Sequence, residues 1–229
     1  GTNRLMSSNA DGIHVKWGQY GPTVRDCWLE GMGDDSINVG GTYQTIMAQP
    51  DARTLVVDNH GSLKRGDDVR LVENRTGMIT PLGPREATEF LKWQGKPAMK
   101  LTFENELPPI QGTEADVGRA KADMVINYDQ VATNPVIRNN FFGRHRMRGI
   151  LVRAPGAVIE GNRFEDLNGP AIRLGHHYGG RIEGPNGAGA VIRNNTFINI
   201  RRTNVQLADS GVDRSGERSK LRSIAGVLI

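Results

Sequence analysis

The sequence predicts an all-β protein: a right-handed parallel β-helix with a small antiparallel β-barrel or sandwich module inserted into it. Three observations predict this. Segments Val136-Ile-Arg-Asn-Asn-Phe-Phe142, Val158-Ile-Glu-Gly-Asn-Arg-Phe164 and Val191-Ile-Arg-Asn-Asn-Thr-Phe197 are near copies in which apolar and polar residues alternate, the period of a strand with one buried face. Their starts lie 22 and then 33 residues apart, and a strand-only repeat of that length stacks as a solenoid. From about residue 40 to 134 the repeat vanishes, and short β-type runs alternate with Gly- and Pro-containing turns. Residues 1–40 are therefore assigned to the first part of the coil, 41–133 to the inserted module and 134–229 to the second part of the coil.

In chain order, residues 1–10 are polar and form an incoming turn. Residues 11–17 alternate as a strand, with Ile13, Val15 and Trp17 on one side and His14 on the other. Gly18-Gln-Tyr-Gly-Pro22 is a turn. Thr23-Val-Arg-Asp-Cys-Trp-Leu29 fits the repeat frame, with Cys27 in the Asn column and Leu29 in the Phe column. In the insertion, runs 53–59, 68–73, 77–80 and 98–103 read as antiparallel strands, and 86–93 as a weak helix. Arg65-Gly-Asp-Asp68 reads as a solvated hairpin turn. Tyr43 and Trp93 are candidates to stack on a sugar. Residues 124–128 lead back into the coil. Asn140, Asn162 and Asn195 form an inward ladder, and Phe142, Phe164 and Phe197 stack in the core. The Gly-rich loop 179–189 accounts for the longer repeat spacing. Residues 209–220 are a charged exit, and 221–229 a last strand or cap. Cys27 is the only cysteine; no internal disulfide forms, and the expected state is an inert buried thiol.

The register then puts acidic residues together. Ile37, Ile150 and Ile172 each follow the Phe column by eight residues, and Ile13 precedes Ile37 by 24. The four form one inward column. Two positions earlier stand Asp11, Asp35, Arg148 and Pro170, so Asp11 and Asp35 are neighbours at about 4.8 Å, the strand spacing. Asp34 sits beside them. Like charges stacked across strands destabilise a sheet, so one of the three holds a proton near neutral pH. A protonated carboxyl beside an ionised one suits general acid and base work, as in glycoside hydrolysis. A bound cation, or Asp residues capping turns, are the alternatives. His14, Asn38 and Arg173 share the neighbouring outward column and are candidates for substrate contact. Arg148 stands in the acidic column, where it stabilises Asp35 as a carboxylate and reaches sugar hydroxyls.

At these residues the chain resembles the inverting, pectin-lyase-like β-helix glycosidases. Asn9-Ala-Asp11 and Gly33-Asp-Asp35 are similar to two motifs of the polygalacturonases, but that family's downstream Gly-His-Gly and Arg-Ile-Lys are absent, and Gly175-His-His177 is a poor substitute. The better resemblance is to glycoside hydrolase family 110, the α-1,3-galactosidases. It rests on Asp11 with His14, the Asp34-Asp-Ser-Ile-Asn-Val39 motif, the following Gly41-Thr-Tyr43 with its insertion, and the return through Arg146, Arg148 and Gly149-Ile-Leu151. Gly40 stands where the family reads His. The resemblance implies Asp34 as general acid, Asp11 and Asp35 as candidates to activate water, and an exo-acting, inverting, metal-free enzyme removing terminal α-1,3-galactose. Inversion requires carboxyl groups roughly 6.5–9.5 Å apart, and about 5 Å corresponds to retention.

Composition bounds the rest. With 229 residues, 37% hydrophobic, the chain can bury a core; its net charge of +4 is spread over the rungs. No stripe or motif supports nucleic-acid binding, and no apolar run is long enough to span a membrane. The expected partner is a galactoside-containing glycan, with no cofactor and no metal. The expected location is secreted or periplasmic in a bacterium, with no signal peptide in this chain. The chain lacks an initiator Met, and its acidic rung is its first rung. A fragment, or a neighbouring subunit covering the bare coil end, is therefore expected. Other function classes stay open: another β-helix hydrolase, a lyase whose acidic trio holds Ca²⁺, a non-catalytic glycan-binding coil, or a structural solenoid.

Overall fold

The computed structural model describes residues 6–60, 63–175, 183–208 and 226–229. These are all-β apart from a short helix at Glu114–Val117 and a 3-10 turn at Tyr128–Gln130. The strands make two four-stranded parallel sheets and one mixed twelve-stranded sheet.

The near-copy segments stack in the expected register. Strands Thr23–Arg25, Val136–Arg138, Val158–Glu160 and Val191–Arg193 pair in parallel with their first residues side by side. Strands Trp28–Glu30, Phe141–Gly143, Arg163–Leu167 and Thr196–Ile200 form a second parallel ladder that aligns Leu29, Phe142, Phe164 and Phe197. Between the two ladders each repeat turns at one residue with positive φ: Asp26 (56°), Asn139 (56°), Gly161 (65°) and Asn194 (57°). That conformation favours Gly, Asn and Asp, which explains why the fourth repeat position holds no other residue type. The next residue carries the ladder. Asn162 Oδ1 accepts from Asn140 N and Nδ2, each at 3.0 Å, and Asn195 Oδ1 does the same for Asn162. The Phe rings stack with centroids 4.9 and 5.3 Å apart.

Cys27 departs from expectation. It is exposed rather than buried, because Thr23–Arg25 and Trp28–Glu30 are the edge strands of their sheets and no described rung lies over the thiol. Its backbone still continues the ladder, donating to Asn140 Oδ1 at 3.0 Å.

The third ladder aligns Ile13, Ile37, Ile150 and Ile172, and adds Val205. Its central strand, Ile37–Asp51, serves both halves of the molecule. It pairs in parallel over Ile37–Gly40, then antiparallel with Glu183–Gly184, Met124–Asn127 and Thr54–Asp58 in turn. One hydrophobic cluster fills the parallel stack around Ile37, Phe142, Ile159 and Phe164. Another lies among the antiparallel strands around Ile46, Leu71, Leu101 and Phe103.

Two expectations for the antiparallel part are corrected. Residues 86–93 are not helical: Arg85–Trp93 is a strand paired with Lys96–Phe103. The two-residue turn Gln94-Gly95 has φ of 48° and 79°, the left-handed pair that suits a tight hairpin and overrides a weak helical pattern. The Asp67-Asp68 turn is not merely solvated. Asp67 Oδ2 accepts from Lys64 N and Asn127 Nδ2, and Asp68 N donates to Asp129. The sequence readings at 176–177, 179–182 and 209–225 lie outside the described residues, whereas Leu228 bridges Val191 in parallel. Among the described residues no helix is long and apolar enough to cross a membrane.

Candidate active site

The acidic residues meet where two successive turns of chain lie backbone against backbone. Gly12 N donates to Asp35 O, Gly33 N to Ser8 O and Asp34 N to Ala10 O. A Cβ on Gly33 would stand 2.7 Å from Asn9 O, so only glycine lets the two loops approach this closely. One carboxylate oxygen each from Asp11, Asp34 and Asp35 lies within 4.8 Å of the others.

The three carboxylates differ in depth and partners. Asp35 is 1% exposed, and its two oxygens accept from Arg148 Nε at 2.7 Å and Nη2 at 3.0 Å. Asp11 is 13% exposed. Its Oδ1 accepts from Asp35 N at 3.1 Å, and its Oδ2 accepts from Asn38 Nδ2 at 2.9 Å and lies 3.1 Å from His14 Nδ1. Asp34 is 30% exposed and stands 3.7 Å from Arg148 Nη2. Burial pushes Asp35 above the ordinary carboxylate range, against the pull of the Arg148 guanidinium. Burial and the neighbouring Lys16 lower His14, so His14 is neutral at pH 7.

Residues 145–148 close over this loop from the next rung. Met32 N donates to His145 Nδ1 at 3.1 Å, so the neutral ring carries its proton on Nε2 and gives it to Ser36 Oγ. Burial lowers His145 to a pKa of about 4. Arg146 Nε donates to Gly33 O at 2.7 Å. The sequence reading missed His145 and the clamping contact of Arg146. The only signal was their place three and two residues before Arg148, which the register had already put in the acidic column.

The outward column is as expected: His14 pairs with Asn38, Asn38 with Leu151, and Leu151 with Arg173. Asn38 does not point free into a pocket, since it also accepts from the fully buried Arg153 at 2.6 Å. Arg153 pairs with Glu183 at 3.0 Å, and Lys16 reaches the other oxygen of Glu183 at 3.0 Å. Gly40 has a structural reason: a Cβ there would lie 3.0 Å from Arg153 Cβ and 3.3 Å from Gly184 O. Tyr43 is fully buried and cannot stack on a sugar. Trp93 packs against the cluster of Met47 and Val56.

No family model matches the chain. Curated relatives do. The chain is 28% identical over 218 residues to α-1,3-galactosidase B of Akkermansia muciniphila, covering 92% of this chain and 26% of that protein. The α-1,3-galactosidase B of Bacteroides fragilis is 28% identical over 211 residues, covering 86% of this chain and 34% of that protein. This chain is similar to α-1,3-galactosidases. A further relative of that name from Phocaeicola vulgatus is 28% identical over 219 residues, 90% of this chain and 35% of that protein. The similarity supports the resemblance to glycoside hydrolase family 110 drawn from Asp11, His14 and the 34–39 motif. The chain spans about a quarter to a third of the length of these relatives.

Proposed function

We propose that this chain carries the catalytic face of a glycoside hydrolase that removes terminal α-1,3-linked galactose with inversion. The observation behind the proposal is the meeting of Asp11, Asp34 and Asp35 within 4.8 Å, in a chain similar to α-1,3-galactosidases over most of its length. Asp34, the most open of the three, protonates the leaving oxygen. Asp11, partly open, holds and deprotonates the attacking water. Asp35 is too deep to touch that water. It fixes Arg148 beside Asp34 and gives its N–H to Asp11, which makes it a positioning residue.

Two features bear on how a water is held here. Both oxygens of Asp11 and both of Asp35 accept hydrogen bonds, which fix the two carboxylates in place and leave Asp11 lone pairs for a water. Oxygens within 4.8 Å of each other are at a distance one water bridges with two ordinary hydrogen bonds. Whole carboxyl groups stand farther apart than their nearest oxygens, so this limit fits either stereochemical course, and the anomer of the product decides.

The three parallel ladders are read as the sheets of a right-handed β-helix, with residues 41–133 inserted as a unit beside the site. A galactoside-containing glycan as substrate fits a protein of the periplasm or the cell exterior. The test is release of galactose from α-1,3-galactobiose, followed by NMR, with wild type beside Asp34→Asn. β-Galactose is expected first from wild type, with turnover at least ~100-fold lower in the variant. α-Galactose first overturns inversion, and no galactose from wild type overturns the activity. A calcium-dependent unsaturated product would instead favour a lyase using the acidic trio as a cation site.

A further inference from the structure

Arg173 has no visible reason to be charged where it is. It sits on the outward face of strand Ile172–Leu174, between two fully buried residues, and is itself only partly exposed. Its Nε is buried without a hydrogen-bond partner. Among the described residues, none accepts from its guanidinium and no carboxylate stands within salt-bridge reach. The nearby acids are already engaged: Asp35 by Arg148, Glu183 by Arg153 and Lys16, and Asp11 by Asn38 and His14. Asp34 stands 3.7 Å from Arg148. Burial lowers the pKa of Arg173, and the charges of Arg148 and Arg153 lower it further, against the pull of Asp35. Withdrawing a cation from water toward two like charges costs free energy, and among the described residues only the charge of Asp35 offsets part of it.

We propose that Arg173 receives an anionic substituent of the glycan, a sulfate ester or a carboxylate, so that the substrates of this site are negatively charged galactosides. The placement suits this. Arg173 lies two strands from Asn38 on the same outward face, on the order of 10 Å at the strand spacing. Asn38 in turn donates to Asp11, so Arg173 and the acidic trio share this face. A guanidinium meets either oxyanion with paired, charge-assisted hydrogen bonds. The anion supplies the paired charge that no described residue gives Arg173, and the acids stay free for proton transfer. The inference rests on the reading of this face as the glycan site, but it concerns binding and is testable without turnover.

The experiment measures binding by titration calorimetry at pH 7 to the Asp34→Asn protein, so that no probe is consumed. The probes are α-1,3-galactobiose, its mono-sulfated forms with sulfate on either ring, and the analogue with galacturonic acid at the non-reducing end. At least one charged probe is expected to bind ~10-fold or more tightly than the neutral one, and raising NaCl from low salt to ~0.5 M is expected to shrink that ratio. Adding Arg173→Met abolishes the ratio, and Arg173→Lys keeps part of it. Sulfate against carboxylate identifies the natural charge. Equal affinity for charged and neutral probes, a ratio that survives Arg173→Met, or no binding of any probe overturns the proposal. If the methionine variant does not fold, the salt dependence and the lysine variant still decide. Galactose release from the neutral disaccharide without a charge preference defeats this inference alone. A charge preference without any hydrolysis defeats the hydrolase reading alone.

Discussion

At the scale of single residues, the site is governed by what each carboxylate is denied. Asp35 is denied water, and only Arg148 makes its ionised form tolerable there. Asp11 is held in place through both oxygens, and Asp34 alone keeps both access to solvent and a cation at 3.7 Å. The buried His145 is the residue whose titration the whole loop feels, because protonating Nδ1 would remove the acceptor of Met32 N. Its pKa is about 4 in the folded chain against 6.5 ordinarily, so between those values the unfolded chain binds the extra proton. Stability from this group is complete above pH 6.5 and is lost as the pH falls to 4, by on the order of 3 kcal/mol. Urea midpoints at pH 7 and pH 4.5 will show this loss in wild type and a smaller one in His145→Gln. Equal losses would mean that other groups carry the acid sensitivity. Both histidines beside the acids are lowered, yet only His14 was noticed in the sequence. His14 stands three residues from Asp11 in the chain, whereas His145 reaches the loop across the fold.

At the scale of elements, the Asn ladder ties successive rungs through buried amides. Asn162 Oδ1 serves two donors of Asn140, both in the interior. Asn162→Ala leaves those donors unpaired and is expected to cost about 1–3 kcal/mol, read as a lowered urea midpoint. An unchanged midpoint would reduce the ladder to ornament. The ladder, the Phe column and the Ile column were all legible in the sequence, since each follows from a period of two carried through a repeat. Strand Arg85–Trp93 was not. Its apolar pattern suits either element, and pairing with Lys96–Phe103 through the Gln94-Gly95 turn decides it.

At the scale of the whole molecule, strand Ile37–Asp51 belongs to both the parallel stack and the antiparallel sheet. It carries the outward column at one end and the wall of the second cluster at the other, so the two parts are expected to unfold together. Leu101 is fully buried in the second cluster, and Leu101→Ala should cost about 2–5 kcal/mol. In a Trp93→Phe background the remaining tryptophans, Trp17 and Trp28, report on the parallel part. Their fluorescence transition is expected to move with the circular dichroism transition when Leu101→Ala is added. A fluorescence midpoint that stays put would show two independent parts.

The residues by themselves determined which side chains share a column. Ile13, Ile37, Ile150 and Ile172 align, and with them Asp11, Asp35 and Arg148, because a repeat in sequence becomes a ladder wherever strands stack. Depth and pairing came from tertiary structure alone. Arg148 reaches Asp35 across 113 positions of chain, and Arg153 reaches Asn38 across 115. Among the described residues the same closure leaves Cys27 on an uncovered edge, seals Asp35 beneath Arg148, and sets Arg173 beside cations with no acid in salt-bridge reach. Burial and charge balance are properties of the closed surface, and no local pattern encodes which distant segment will close it.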